Sequence, residues 1–341
     1  MMAGRRQGSE RVSGRRRADP IGEVDAAVGR VAPSAGSSAA PALELTGVRK
    51  TYGRQVALHD ITLRVEPGEV FGFLGPNGAG KTTAVKILTG LVHAGDGEAR
   101  VLGRPAGEPA ARRRIGYLPE HFRFQDWATG TALLEFHARL AGLPAGQRPA
   151  RIAEVLELVG LAGRGRQRIR TYSKGMAQRI GLAQALLGRP ELVLLDEPTS
   201  ALDPVGRREV RDLIGRLREQ GVTVFLNSHL LSEVELVCDR VAIIDRGRIV
   251  RTGRLADLVG SVTAVRVALD RVDQPLLDAL DRFGRVQSVD GGSVVLVVDD
   301  VDVAPAVADR VVRAGYRLFE LVPVQRSLEE VFLGLVHGGD R

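Results

Sequence analysis

Apolar and polar residues alternate along Leu43-Glu-Leu-Thr-Gly-Val-Arg-Lys-Thr-Tyr-Gly and again along Ala57-Leu-His-Asp-Ile-Thr-Leu-Arg-Val. That period predicts two short half-buried strands, closed by the turn Glu66-Pro-Gly-Glu. Val70-Phe-Gly-Phe-Leu, Leu192-Val-Leu-Leu and Val222-Thr-Val-Phe-Leu are continuous apolar runs of buried-strand type. Ile152, Val155, Leu156 and Val159, like Val210, Leu213, Ile214 and Leu217, fall on one face of a 3.6-residue period and predict helices. Strands alternating with crossover helices predict an α/β domain with a mostly parallel sheet.

A different pattern begins after about Leu258. Val265, Val267 and Leu269 alternate with smaller or polar residues, and Ser288 to Val297 reads as a hairpin around Gly291-Gly292. Helical stretches near 274–283 and 303–314 separate these strands from Tyr316-Arg-Leu-Phe-Glu-Leu. A last helix, capped by Ser327 and Glu330, presents Leu328, Val331, Phe332 and Leu335 on one face. The expected division is 1–41, a disordered Arg-rich tail; 42–257, the α/β domain, with a helical subdomain at about 119–185; and 258–341, a small α+β accessory domain.

Composition changes this picture little. The 341 residues are 44% hydrophobic and 26% charged, as in soluble globular proteins. No stretch approaches the roughly 18 apolar residues of a membrane span, so a membrane role is expected to run through a partner chain. The net charge of +7 is concentrated in residues 1–17, whose six arginines outnumber one Glu, and it does not mark a nucleic-acid groove. That tail reads as a solvated extension. Its paired arginines are not followed by the apolar run of an export signal. Cys238 has no sequence partner and reads as a small buried residue. Only Lys50, Lys81, Lys86 and Lys174 are lysines, so a retained lysine invites a chemical explanation.

Lys81 has one. Gly75-Pro-Asn-Gly-Ala-Gly-Lys-Thr fits G-x-x-x-x-G-K-[ST], directly after an apolar strand and before a helix expected over Thr82 to Leu91. Gly75, Gly78 and Gly80 let the backbone curl so that its N–H groups converge on phosphate oxygens. Gly75, Pro76, Asn77, Gly78, Ala79, Gly80, Lys81, Thr82 and Thr83 are therefore candidate nucleotide-binding residues. Lys81 is placed to bridge β- and γ-phosphates and Thr82 to hold Mg²⁺. Asp196 ends an apolar strand and Glu197 follows it. Adjacent carboxylates suit two roles, one on the metal and one activating water, or one of them is only a turn residue.

Leu194-Leu-Asp-Glu-Pro-Thr-Ser-Ala-Leu-Asp, placed after Tyr172-Ser-Lys-Gly-Met-Ala-Gln-Arg, resembles the ATPase subunit of an ATP-binding cassette (ABC) transporter, from about residue 43 to 255. The resemblance implies an adenine-stacking ring at Tyr52, a Mg²⁺-orienting carboxylate at Asp196 and a general base at Glu197. It further implies a switch histidine at His229, in Leu226-Asn-Ser-His, and a subunit-crossing loop at Asp203. Ser173 and Gly175 fall in the family's signature loop, which caps ATP held by a second subunit. Two positions depart from the family pattern. Lys174-Gly-Met176 stands for Gly-Gly-Gln, and Glu120 stands for a glutamine that reaches the metal and nucleotide; Glu120 is kept as a candidate ligand of both. Phe122, Phe124 and Trp127 either supply a groove for a membrane subunit's helix or pack inside the helical subdomain.

The implied protein is an ATP-hydrolysing subunit with ATP and Mg²⁺ as cofactors. It would work as a homodimer or heterodimer on a separate transmembrane permease, peripheral at the cytoplasmic face of the cell membrane. The C-terminal Ser327-Leu-Glu-Glu-Val-Phe-Leu resembles the daunorubicin-resistance branch, which implies efflux of a drug-like or other small hydrophobic molecule. The alternatives are an importer ATPase and a soluble ABC protein acting on nucleic acid or ribosomes. The second is disfavoured by a single cassette without sustained heptads. A regulatory module without turnover is disfavoured by the intact Lys81, Asp196, Glu197 and His229.

Overall fold

The computed structural model describes residues 40–259, 263–325 and 327–337. The Arg-rich stretch therefore lies, apart from Ala40 and Pro41, outside the described residues. In chain order the first elements are β1 (Leu43–Tyr52), β2 (Gln55–Val65), β3 (Val70–Leu74), α1 (Lys81–Leu88), β4 (Asp96–Val101), β5 (Arg104–Pro105), α2 (Pro109–Arg112) and β6 (Ile115–Leu118). Then come α3 (Gly130–Leu140), α4 (Arg148–Leu158), α5 (Lys174–Leu186), β7 (Leu192–Asp196), α6 (Pro204–Glu219), β8 (Thr223–Asn227), α7 (Leu231–Glu235), β9 (Arg240–Asp245), β10 (Arg248–Arg254) and α8 (Leu255–Val259). The C-terminal part holds β11 (Thr263–Leu269), α9 (Gln274–Leu280), β12 (Arg285–Asp290), β13 (Ser293–Val298), α10 (Ala304–Arg313), β14 (Leu318–Gln325) and α11 (Leu328–His337).

The central sheet has the order β10-β9-β3-β8-β7-β6, with β9, β3, β8, β7 and β6 parallel and β10 antiparallel at one edge. Its inner strands β3, β7 and β8 are apolar runs because both their faces are covered. Val70 and Leu74 of β3 enter a core shared with α3–α6, while Phe71 and Phe73 enter a second core shared with α1, β1 and β2. β7 divides in the same way, Val193 and Leu195 against Leu192 and Leu194. The antiparallel sheet β2-β1-β4-β5 lies against the second core. Helix α1 stops at Leu88, short of the expected Leu91, because Thr89 Oγ1 donates back to Val85 O at 2.9 Å and Gly90 turns to φ +69°.

The C-terminal sheet has the order β12-β13-β11-β14, all antiparallel, with the expected hairpin turn at Gly291-Gly292. It packs with α9 and α10 around a third core that includes Val265, Val267, Leu296 and Val307. The last helix does not join that core. Leu328 is fully buried among residues of the first core, with Phe332 and Leu335 packed on the same cluster, and its N–H donates to Glu235 Oε2 at 3.3 Å. Ser327 caps α11 as its sequence predicts, accepting from Glu330 N at 3.2 Å. Among the described residues no helix is long and apolar enough to cross a membrane.

Candidate active site

β3 ends at Leu74, and the chain folds back over residues 75–80 into α1. Gly75 is required by packing, since a Cβ there would meet Ile244 O at 2.2 Å. Gly80 is required by conformation as well: it opens α1 at φ +106°, and a Cβ would meet Ala57 O at 2.6 Å. Ala79 is buried and its carbonyl accepts from Gly247 N, which ties the loop to the β9–β10 turn. Lys81 is 7% exposed, and its Nζ donates to Gly75 O at 2.6 Å and Pro76 O at 3.2 Å. Burial lowers its pKa, opposed by the nearby Glu197, Asp196 and Glu120 carboxylates. The ammonium is thus held inside its own loop, by carbonyls that anionic phosphates can outcompete.

Asp196 and Glu197 stand at the carboxyl end of β7, beside Asn227 at the end of β8. Asp196 is 1% exposed and accepts from Asn227 Nδ2. Its carboxyl is pushed up to about 6 by burial, with repulsion from Glu120 and Glu197 added, against the Asn227 hydrogen bond and the Lys81 charge. Asp196 Oδ2 and Asn227 Oδ1 are buried oxygens without a hydrogen-bond donor. Two such oxygens beside the hydroxyl-bearing start of α1 suit a hard divalent cation. Among the described residues no set of three or more His, Cys, Asp or Glu makes an all-protein cage.

Glu197 carries backbone strain, with φ +53° in the left-handed region. Hydrogen bonds to its N–H, its carbonyl and Oε1 hold the strained residue in place. Its N–H donates to Asn227 O at 2.9 Å, Oε1 accepts from His229 N at 3.0 Å, and Oε2 lies 2.8 Å from His229 Nδ1. Its carbonyl accepts from Ser200 Oγ at 3.1 Å and from Gln178 Nε2 at 3.3 Å.

A cavity of about 470 Å³ opens over this end of the sheet. Of the residues expected from sequence, Tyr52, Asn77, Gly78, Gly80, Lys81, Thr82, Thr83, Glu120, Glu197 and His229 line it. Gly75, Pro76 and Ala79 lie behind the wall as the loop's own scaffolding, and Asp196 sits beneath it. Tyr52 is half-exposed at the end of β1, with Lys50 Nζ 5.4 Å from its ring centroid. Tyr117, behind Glu120 and Asp196, is pushed up to about 12, chiefly by burial. Gln55, Ala57 and Asn227 also line the cavity and were not singled out from sequence. Asn227 had a legible signal, since the ends of two adjacent buried strands put it in register with Asp196.

Ser173, Gly175 and Asp203 are not in this cavity. They line another, of about 550 Å³, together with Met176 and Arg179. Ser173 Oγ caps α5 by accepting from Met176 N at 3.2 Å, so the helix N-terminus opens onto that second cavity. Asp203 caps α6, accepting from Gly206 N at 2.8 Å. Lys174 is exposed, whereas Met176 packs on the first core. The aromatic cluster divides: Phe122 and Phe124 pack together at 4.8 Å on that core, and Trp127 is 77% exposed.

A buried parallel sheet whose first loop has the G-x-x-x-x-G-K-[ST] spacing and opens a helix, with acidic residues at the end of a neighbouring strand, defines a P-loop nucleoside triphosphatase. Residues 58–200 match the ABC transporter family. An uncharacterized ABC transporter ATP-binding protein of Synechocystis is 41% identical over 81% of this chain and 77% of its own. The daunorubicin resistance ATP-binding protein DrrA3 of Streptomyces coeruleorubidus is 37% identical over 88% of this chain and 97% of its own. The methionine import ATP-binding protein of Thermobifida fusca is 38% identical over 74% and 87%. Among solved structures, an ATP-binding cassette in a dimeric post-hydrolysis state bound to ADP and Pi aligns with TM-score 0.59 at 26% identity, over 63% of this chain and 99% of that one. The chain belongs to the ATP-binding proteins of ABC transporters, and it is an ATPase of that family.

Proposed function

We propose that this chain powers efflux of a drug-like or other small hydrophobic molecule through a separate membrane permease, from the cytoplasmic face of the cell membrane, as one of two ATPase subunits. The observation that carries the reading is the split of the site. The phosphate loop, Glu197 and His229 share one cavity, while the signature residues Ser173 and Gly175 line another. A second subunit would bring its α5 N-terminus, with the positive end of its helix dipole, to the γ-phosphate held by the first. ATP would then join two subunits, and hydrolysis would release them.

Within one such site the roles follow from position. Tyr52 stacks on the base at the cavity mouth. Lys81 leaves the Gly75 and Pro76 carbonyls for the phosphate oxygens. Glu197 accepts a proton from the water attacking the γ-phosphorus as the bond to the β–γ bridging oxygen breaks and ADP leaves, and His229, half-exposed at the cavity, orients that carboxylate. Asp196, Thr82 and Glu120 would hold Mg²⁺, which supplies charge neutralisation across the β- and γ-phosphates.

Efflux is favoured by the match to the daunorubicin resistance protein, which covers 88% of this chain and 97% of that one. Import is the second reading, favoured by the methionine import relative. In the first test, Glu197→Gln is expected to lower steady-state hydrolysis by about a thousandfold or more. It should still bind ATP and should accumulate as an ATP-bound dimer. Normal turnover, or a monomer at saturating ATP, would overturn the mechanism. Affinity capture of the full chain from native membranes should bring a polytopic protein in near-equal amount; ribosomal proteins or RNA in its place would remove transport.

A further inference from the structure

Gln178 has no part in the roles above, yet it is one of the few polar side chains buried in the first core, at 3% exposure. It lies on α5, little more than one turn beyond Ser173, and its Nε2 donates to the main-chain carbonyl of Glu197. The other groups bonded to Glu197 (Asn227, His229 and Ser200) come from neighbouring strand ends or from the same loop. Gln178 is the one that reaches it from the helix whose N-terminus opens onto the second cavity.

α5 also rests along the rest of that loop. A Cβ on Gly175 would sit 3.3 Å from the Leu202 side chain, and Arg179 pairs with Glu209 of α6 at 2.7 Å. The segment from Glu197 to Asp203 is therefore seated on the first two turns of α5. Glu197 occupies a strained φ of +53°, so its carboxylate direction depends on what pins its peptide planes. Displacement of α5 would reach the Glu197 peptide through Gln178, at the strained residue itself.

From this geometry we infer that Gln178 is a positioning residue linking the signature end of α5 to the general base of the same chain. The inference rests on the two-subunit reading of the site. When a second subunit's nucleotide engages Ser173 and Gly175, the shift of α5 is passed through the Gln178 amide to Glu197. The state of one site then sets the orientation of the base in the other, which makes the two hydrolytic sites interdependent.

The test is ATPase kinetics and equilibrium ATP binding of the full chain carrying Gln178→Met, which keeps the length of the side chain and removes the donor. ATP affinity should stay within about twofold, kcat should fall by about tenfold, and the Hill coefficient should drop from near 2 toward 1. Ser200→Ala, which loosens the same carbonyl from within the loop, should slow hydrolysis and leave the Hill coefficient unchanged. Gln178→Asn, retaining a shortened amide, should lie between Gln178→Met and the unmodified chain, and it serves as the readable variant if Gln178→Met does not fold. An unchanged Hill coefficient with an altered rate, equal loss of cooperativity in Ser200→Ala, or a kcat within twofold of the unmodified chain would overturn the inference. Absence of hydrolysis in the unmodified chain would instead overturn the ATPase mechanism on which it rests.

Discussion

The central parallel sheet and the C-terminal antiparallel sheet both bury their apolar side chains, but they treat carboxylates in opposite ways. In the C-terminal unit, Asp273 accepts from Tyr316 Oη and from Leu276 N, and Asp270 accepts from Arg317 N. Those donors hold both acids below their ordinary range. In the central sheet, Asp196 is buried with one oxygen unpartnered and is held above its range. A carboxylate surrounded by donors is finished as structure. A buried one left short of donors is reserved for something that arrives from outside.

The contrast can be broken first at the phosphate loop. Gly75→Ala drives a Cβ into the Ile244 carbonyl and should weaken ATP binding by a hundredfold or more, about 3 kcal/mol, read by equilibrium dialysis. In the other region, Leu296→Ala opens a cavity in the third core and should cost about 2–5 kcal/mol there. Hydrogen exchange should report the loss across residues 263–325, while kcat for ATP stays within about twofold. If hydrolysis fell in step with protection, the two regions would not be separate.

The acids give a third test. Because the folded-state pKa of Asp196 lies above its unfolded value, the folded chain binds the extra proton. Nucleotide-free stability should therefore be highest below about pH 4 for this group and fall as pH rises toward 6, by roughly 3 kcal/mol at most. Asp270 and Asp273 act with the opposite sign, losing stabilisation as pH falls through their depressed values. Asp196→Asn should flatten the first slope and leave the second, in denaturation curves collected from pH 3 to 7. The smallest effect is expected at the cap of α11, where Ser327→Ala should cost about 1 kcal/mol in thermal unfolding.

The strands and the phosphate loop were legible because each followed from a local period or spacing. The runs Val70–Leu74 and Leu192–Leu195 carry no polar side chain, since successive residues enter different cores. The Gly75 to Thr82 spacing carries its own chemistry. Long-range facts were not legible. Gln178 sits in a helix where any buried residue satisfies the pattern, and only the fold brings its amide to Glu197. Phe122, Phe124 and Trp127 share one stretch of sequence but not one environment, because packing and not period separates them. The apolar face of α11 was readable, while its destination was not: Leu328 lies against the first core and not with the sheet that precedes it.

That destination changes what kind of object the C-terminal sheet is. The chain departs from the cassette after α8 and comes back to it at α11, which packs beside α7 and α8. The sheet is therefore an insertion moored at both ends rather than a pendant on a single tether. Two moorings suppress free tumbling and favour rocking about the line that joins them. The helix on which the returning mooring packs, α7, begins two residues after His229. Whatever leans on the outer unit thus has a lever arm, with its short end beside His229.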